Sequence, residues 1–407
     1  MKITRGYKTE LDLNNKQKTL CLKHAGTARF AFNWALAKKI EAYKAGQKVP
    51  TAIDLHRELN KLKKTELSWM YDVSKCAPQE ALRDVDKAYD NFFRKVKLKK
   101  QGKYKGKVGF PKLKKKSGGI GSFRLTGAIK VFPDAIQLPR LGRLRLKEHD
   151  YLPTRAHILS ATVSEQAGRW FVSLQVEEEQ PEQIHTATTA IGVDLGVTTL
   201  ATCSDGVTFA NPKALKSQLK KLKRLQRAHS RKQKGSKKRG KSRHKLAKLH
   251  ARIVNIRKDA LHKFTTHVCK NHAYVAIEDL HVAGMLKNHH LAQAIADASM
   301  GEIRRQLTYK AAKFGTRVVV IDRWYPSSKT CSVCGYVLAE LALSVRVWAC
   351  PNCHMLHDRD INAANNILAV SSIDRLNACG ERSSGFVVTR SETPLVEAGT
   401  QYYLGMS

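Results

Sequence analysis

The sequence predicts a multidomain α/β protein, and three observations carry that expectation. At 407 residues the chain has the length of about two to four domains. Short alternating stretches and amphipathic helical stretches follow one another along it instead of segregating into halves. Two Cys-x-x-Cys pairs, Cys331/Cys334 and Cys350/Cys353, interrupt the last strand-to-helix passage at a spacing suited to metal.

Taken in order, "TRGYKTELDLNNKQ" alternates as a strand and then meets a helix start. "TARFAFNWALAKKIEAYKAG" reads as an amphipathic helix stopped at Gly46. In "APQEALRDVDKAYDNFFRKV" the residues Leu82, Val85, Tyr89 and Phe92 form one core-facing helical stripe. Asn91 to Pro133 holds fourteen Lys/Arg and no acid, punctuated by glycines, and reads as a basic connector. "GSFRLTG", "AIKVFP", "GRLRLKEH" and "AHILSATVSEQAGRWFVSLQVEEE" then predict a small β-barrel or sheet. Its last member is a hairpin turning at Ala167-Gly168. The polar "EEEQPEQIHTATT" marks a domain boundary.

Beyond it, "AIGVDLGVTTLATCSDGVTFA" reads as strand, strand, Asp-Gly turn and strand. Two leucine-striped helices follow, marked by Leu215, Leu219, Leu222 and Leu225 and by Leu246, Leu249, Ile253 and Ile256, with "RKQKGSKKRGKSRH" as their linker. "HAYVAIEDL" is a strand, "ASMGEIRRQLTYKAAKFG" a helix, "TRVVVIDRW" a strand, and "DINAANNILAV" a helix after the cysteines. The stretch past Ala369 is rich in Ser, Thr and Gly and is expected to be loosely ordered.

Charge narrows the function. The 73 Lys+Arg against 34 Asp+Glu leave a formal +39, which opposes compaction unless a polyanion neutralises it. Residues 211–250 alone carry seventeen Lys/Arg and no acid. Nucleic acid is the expected counterpart, contacted by Lys220, Lys223, Arg224, Arg227 and Lys245 among others. No stretch approaches the ~18 apolar residues of a membrane span, and the start lacks the apolar core of a signal peptide. The expected setting is the reducing cytoplasm, with the nucleoid, where cysteines mean metal or plain core. Cys21, Cys76, Cys203, Cys269 and Cys379 read as structural.

Four thiolates at Cys331, Cys334, Cys350 and Cys353 suit a closed, structural tetrahedral Zn²⁺ site. His354 and His357 stand near, but with the shell filled they read as surface or backbone-orienting residues. Three acids are more informative. Asp194 lies within an apolar strand, where a charge is costly without a cation or partner. Glu278 ends a second apolar strand, and Asp360 begins the helix after the cysteines. In the order strand, strand, late helix they match a ribonuclease H-like fold, which brings such carboxylates to one edge. Three hard oxygen ligands suit Mg²⁺, and two ions would drive an in-line phosphodiester displacement. Asp358 fits better as a helix N-cap, and Asp279 faces away from Glu278.

These residues carry a resemblance. "GVDLGV", "AIEDL", "YPSSKTCSVCG", "CPNCHMLHDRDINAANNI", "GFPKLKKK", "ARFAFNWALA" and "EAGTQ" look like the TnpB family of insertion-sequence nucleases, relatives of the type V CRISPR effectors. The resemblance implies an RNA-guided DNA endonuclease that cuts next to a short adjacent motif. The guide RNA would come from the transposon right end, the target would be double-stranded DNA, and Asp194, Glu278 and Asp360 would be the catalytic ligands. It implies a wedge-like β-barrel (1–10 and 118–182) interrupted by a helical recognition domain (11–117). A RuvC-type nuclease (186–330 and 355–370) would carry an inserted zinc ribbon (331–354), with a tail over 371–407. Lys75, Gln79 and Arg124 would be candidates for reading the adjacent motif. One departure is His354 after Cys353, where the family often has Gly. The alternatives are a guided DNA-binding repressor without cleavage and a strand-transferring transposase, whose third acid is usually Glu.

Overall fold

The computed structural model describes residues 2–116, 119–179 and 185–377. The chain divides into two compact units, Met1–Pro181 with Leu225–Ala251, and Glu182–Arg224 with Arg252–Ser407.

The first unit opens with β1 (Lys2–Asp12), α1 (Asn15–Lys44), α2 (Ala52–Leu62) and α3 (Cys76–Lys100). Asn14 with Gln17 and Thr51 with Asp54 make reciprocal capping boxes that start α1 and α2. Asp86 of α3 ties the three helices together. It pairs with Lys39 of α1 at 2.8 Å and accepts from the Ala52 amide at 3.0 Å. Leu82 and Val85 are buried as the stripe predicts, whereas Phe92 meets Phe93 and Phe110 toward the outside. The basic connector begins later than expected: α3 runs on through Lys97, Lys99 and Lys100, cations that suit a helix C-terminus.

Strands β2 (Ser122–Leu125), β3 (Lys130–Val131), β4 (Ala135–Leu138), β5 (Gly142–Leu146), β6 (His157–Gln166) and β7 (Arg169–Glu179) join β1. The sheet order is β2-β6-β7-β1-β5-β4-β3, all antiparallel. Three helices are therefore inserted between a central strand and the rest of its sheet. The expected barrel is an open sheet among the described residues, because no ladder joins β2 to β3 and β3 is two residues long. The β6–β7 turn sits at Ala167 and Gly168, both at positive φ, the geometry of a two-residue hairpin. Helices and sheet share one core that includes Leu11, Phe32, Leu36, Leu82, Leu125 and Val172.

The second unit is built on β8 (Ala190–Leu195), β9 (Thr199–Cys203), β10 (Thr208–Ala210), β11 (Tyr274–Glu278) and β12 (Arg317–Ile321), ordered β10-β9-β8-β11-β12. β8, β11 and β12 run parallel, and the β9 and β10 pairings are antiparallel. Basic helices α4 (Ala214–Ser230) and α5 (Lys237–Asn271) intervene, followed by α6 (Val282–Met285), α7 (Ala292–Ala298) and α8 (Met300–Phe314). The linker between α4 and α5 is shorter than expected, because Ser236 caps α5 by accepting from the Arg239 amide. That draws Gly240 and the lysines around it into helix.

After the β13 (Val347–Ala349) and β14 (Leu356–Asp358) ladder comes α9 (Arg359–Asn377). One face of the sheet packs Ile191, Val193, Val275 and Ile277 against Leu261, Phe264, Ile303 and Leu307. The other takes α9 against Tyr274, Ala276 and Ile321 through Ile367. Gly192 permits this close approach: a Cβ there would lie 2.1 Å from the Ala364 carbonyl oxygen. α9 continues to Asn377, past residue 371, the expected start of the tail. The buried Ser371 carbonyl accepts from the Tyr274 hydroxyl at 2.8 Å, so packing overrides a loop-like composition there. The rest of that stretch, with Cys379 and "EAGTQ", lies outside the described residues. No helix of the described residues is long and apolar enough to cross a membrane.

Candidate active site and metal centre

Asp194 and Glu278 are brought together by strand register. In the parallel β8–β11 ladder Ala190 faces Tyr274 and Gly192 faces Ala276. The ladder ends at Val193 and Ile277, and its register carried one residue further, to the carboxyl ends, brings Asp194 and Glu278 side by side. Side chains alternate along a strand, and Tyr274 and Ala276 point toward α9, so both acids do as well. Asp360 stands in the first turn of α9.

The Glu278 and Asp360 carboxyls lie within electrostatic reach of Asp194. Burial, then the Glu278 charge, then the Asp360 charge push the Asp194 carboxyl up to about 7, against a weaker pull from Arg359 and Arg346. Burial also raises Glu278, partly offset by the Ser327 hydroxyl, which donates to its Oε1. Arg346 pairs with Asp360 at 3.1 Å. The neighbouring acids have other work. Asp358 Oδ1 accepts from the amides of Asp360 and Ile361, both at 3.0 Å, and caps α9. Asp279 is paired with both Arg304 and Arg323.

The four cysteines form a second cluster, the only group of three or more Cys, His, Asp or Glu side chains among the described residues whose ligand atoms all lie within 4.8 Å of one another. Cys331 and Cys353 sulfurs are 3.6 Å apart, as are those of Cys334 and Cys350. Sulfurs at ~2.3 Å from a tetrahedral ion would be separated by roughly 3.8 Å, so the donor set fits zinc, and the gaps are far too long for disulfides. The two knuckles repeat one geometry. Gly335 N–H donates to the Cys331 carbonyl at 3.0 Å, and His354 N–H to the Cys350 carbonyl at 2.9 Å. Both residues hold positive φ, which explains why glycine suits this place; His is among the side chains that tolerate it.

His357 corrects the surface reading. It is buried opposite Trp348 on β14, with ring centroids 4.7 Å apart, and its Nε2 lies 3.0 Å from Cys331 Sγ. The signal was the alternation of a three-residue strand, too short to recognise. Two asparagines also went unnoticed. Asn366 donates to the Ser327 and Thr330 carbonyls at 2.8 and 2.6 Å, and Asn362 donates to Thr330 at 2.7 Å and accepts from the Ser332 amide at 2.9 Å. These buried amides fasten α9 to the loop that carries both Ser327, the partner of Glu278, and Cys331.

Of the expected nucleic-acid contacts, Lys220, Lys223, Arg224, Arg227 and Lys245 are exposed on α4 and α5. Lys75 is exposed at the start of α3, and the backbone N–H of Gln79, one turn on, donates to the Lys75 carbonyl. Arg124 is drawn inward: its guanidinium bonds to Ser160 and Gln175, and its Nε is buried without a partner. Of the remaining cysteines, Cys21, Cys76, Cys203 and Cys269 are buried free thiols.

Three family descriptions match the chain. "Probable transposase", the insertion-sequence OrfB family, covers residues 173–289; "Cas12f1-like, TNB domain" covers 301–367; and "Helix-turn-helix domain" covers 1–48, where the structure has β1 and the single helix α1. Two full-length relatives carry the name "Putative RNA-guided DNA endonuclease". The one from Streptomyces pristinaespiralis is 38% identical over 93% of this chain and 92% of its own length. InsQ of Escherichia coli (strain K12) is 34% identical over 98% and 100%. The TnpB-like protein L79 of Acanthamoeba polyphaga mimivirus is 34% identical over 31% of this chain and 25% of its own. With identity above 30% sustained along nearly the whole of two relatives, the chain belongs to the TnpB family.

Proposed function

We propose that the protein is an RNA-guided DNA endonuclease, encoded by a bacterial transposable element, that hydrolyses DNA next to a short adjacent motif. The observation that carries this reading is the Asp194 carboxyl at the end of the parallel β8–β11 pair, raised to about 7 first by burial and then by the charges of Glu278 and Asp360. Such a set is self-repelling unless cations join it. Two Mg²⁺ ions bound there would supply Lewis-acid activation of a water and stabilisation of the leaving 3′ oxygen. The chain's own residues do the positioning. Asp194 and Glu278 present oxygens from adjacent rigid strands, Ser327 orients Glu278, and Asp360 joins them by exchanging Arg346 for a cation. Zinc at Cys331, Cys334, Cys350 and Cys353 would stiffen the approach to α9, since β14 ends at Asp358, the cap of that helix. On this reading the second unit is a RuvC-type, ribonuclease H-like nuclease. The exposed cations of α4 and α5 hold the phosphates of a guide RNA and its heteroduplex, which carry affinity and not sequence. A binding-only repressor would have no use for three crowded acids.

The test is to express the chain with the DNA flanking the 3′ end of its gene and sequence the RNA that co-purifies. One discrete RNA ending in sequence beyond the element is expected, and DNA matching that end should be cut when Mg²⁺ is present. A heterogeneous mixture of cellular RNA, with no cleavage of matched DNA, would overturn the reading.

A further inference from the structure

Trp324 is 83% exposed, the most exposed large apolar side chain among the described residues. It stands just past the carboxyl end of β12, whose Ile321 pairs with Glu278. Its neighbours are anchored on both sides. The Arg323 Nε donates to the Asp279 carbonyl at 3.0 Å, and its guanidinium also pairs with the Asp279 carboxylate. The Trp324 amide donates to Asp322 Oδ1 at 2.7 Å, and Tyr325 packs into the cluster of Ile321 and Ile367. Ser327, which bonds Glu278, follows within at most ~11 Å of chain. The indole is thus held out in solvent by an ordered segment, at the edge where the acids lie.

Leaving an indole in water forfeits the free energy of burying one of the largest apolar side chains. The adjacent Arg323 is paired, together with Arg304, to Asp279, so the group that this segment extends into solvent is a flat aromatic face. We propose that Trp324 is a stacking platform for an unpaired nucleobase of the DNA strand presented to Asp194, Glu278 and Asp360; this rests on the nuclease reading above. The overall +39 selects a nucleic acid over an apolar protein partner, and a base beside a bound phosphate is the planar group that such a strand brings. Stacking of this kind is worth about 1–3 kcal/mol per base, or roughly 5- to 150-fold in affinity.

The experiment uses the full chain with its co-purified RNA, comparing wild type, Trp324→Ala and Trp324→Tyr. The probes are single-stranded DNAs carrying 2-aminopurine or an abasic residue at successive positions, in magnesium-free buffer. Wild type should quench the fluorescence at one position and prefer a base over an abasic residue there by at least about 5-fold. Trp324→Ala should lose both, Trp324→Tyr should keep the preference, and all three should melt alike. Trp324→Ala retaining the base preference would overturn the proposal, as would equal weakening on base and abasic probes. Cleavage of matched DNA by wild type in Mg²⁺ is scored separately. If it cuts and Trp324→Ala matches its KM and kcat, only the platform falls; if it never cuts, the nuclease reading falls first.

Discussion

On the proposed nuclease reading, the two clusters on either side of Asp358 would be opposite solutions to holding a metal. At the cysteines, four soft donors already lie within 4.8 Å of one another. The thiols act on one another in opposite directions: the Asn352 side chain and the Tyr336 amide lower Cys334, whereas the neighbouring thiols hold Cys353 up, a split that one shared cation would remove. At the carboxylates, three hard donors are gathered by strand register and a helix start but do not close to that distance. One is raised to about 7 and another is occupied by an arginine. A closed set of mutually compatible ligands stores structure. An open set of mutually repelling ones stores a demand for charge, which substrate phosphate and cations can meet together.

The sharpest way to break that contrast is to remove one member from each side. Asp194→Ala should abolish DNA cleavage, by at least about three orders of magnitude, the several kcal/mol carried by a metal clamp. RNA and DNA retention should stay as in wild type, because the exposed cations of α4 and α5 are untouched. Residual cleavage within tenfold of wild type would remove Asp194 from the chemistry. Cys350→Ser should release the zinc, read by metal analysis of the purified protein, and lower cleavage by about 10- to 100-fold. The two sheets should survive, as judged by circular dichroism. A zinc-free variant that cuts at the wild-type rate would show that the ribbon does not position α9.

Between the clusters lies the coupling, and it is the part that reading the residues missed. The four cysteines declared themselves by spacing and Asp194 and Glu278 by their apolar strands, because both patterns are local. The β6–β7 turn at Ala167-Gly168 was equally local, and it has the expected geometry. Asn362 and Asn366 are different: their partners lie 30 to 39 residues away, and an asparagine on a helix looks solvent-facing until the fold buries it. Arg124, a candidate for reading the adjacent motif, has partners equally invisible in the sequence, because Ser160 and Gln175 lie 36 and 51 residues away. The open sheet, the late end of α9 and the early start of α5 were likewise decided by packing and capping that composition does not record.

Asn366→Ala tests that coupling directly. It removes one donor from each of the Ser327 and Thr330 carbonyls and leaves Asn362 as their partner at 3.5 and 2.7 Å, so a loss of about 0.5–1.5 kcal/mol is expected for the hydrogen bonds removed. Because the same loop carries Ser327 to Glu278, kcat should fall about tenfold while guide-RNA binding is unchanged. Asn366→Asp keeps the volume but not the donor, and should behave as the alanine does. If melting falls but cleavage holds, the asparagine supports only the helix.

The smallest effect is the most specific to the acid edge, because it needs no nucleic acid. The Asp194 carboxyl, ordinarily near 3.8, lies at about 7 in the folded chain, so folding takes up a proton between those values. Stability from this group is therefore fully present below about pH 4 and is lost as pH rises through about 7. In magnesium-free buffer Asp194→Asn should raise stability at pH 8 by on the order of 2 kcal/mol, and by nothing at pH 4, read from denaturant midpoints. Added Mg²⁺ should then stabilise wild type at pH 8 and leave the asparagine variant nearly unmoved, since the charge that the cation answers is gone. An equal stabilisation of the variant at both pH values would mean that packing, and not repulsion among the three acids, sets the energy of this edge.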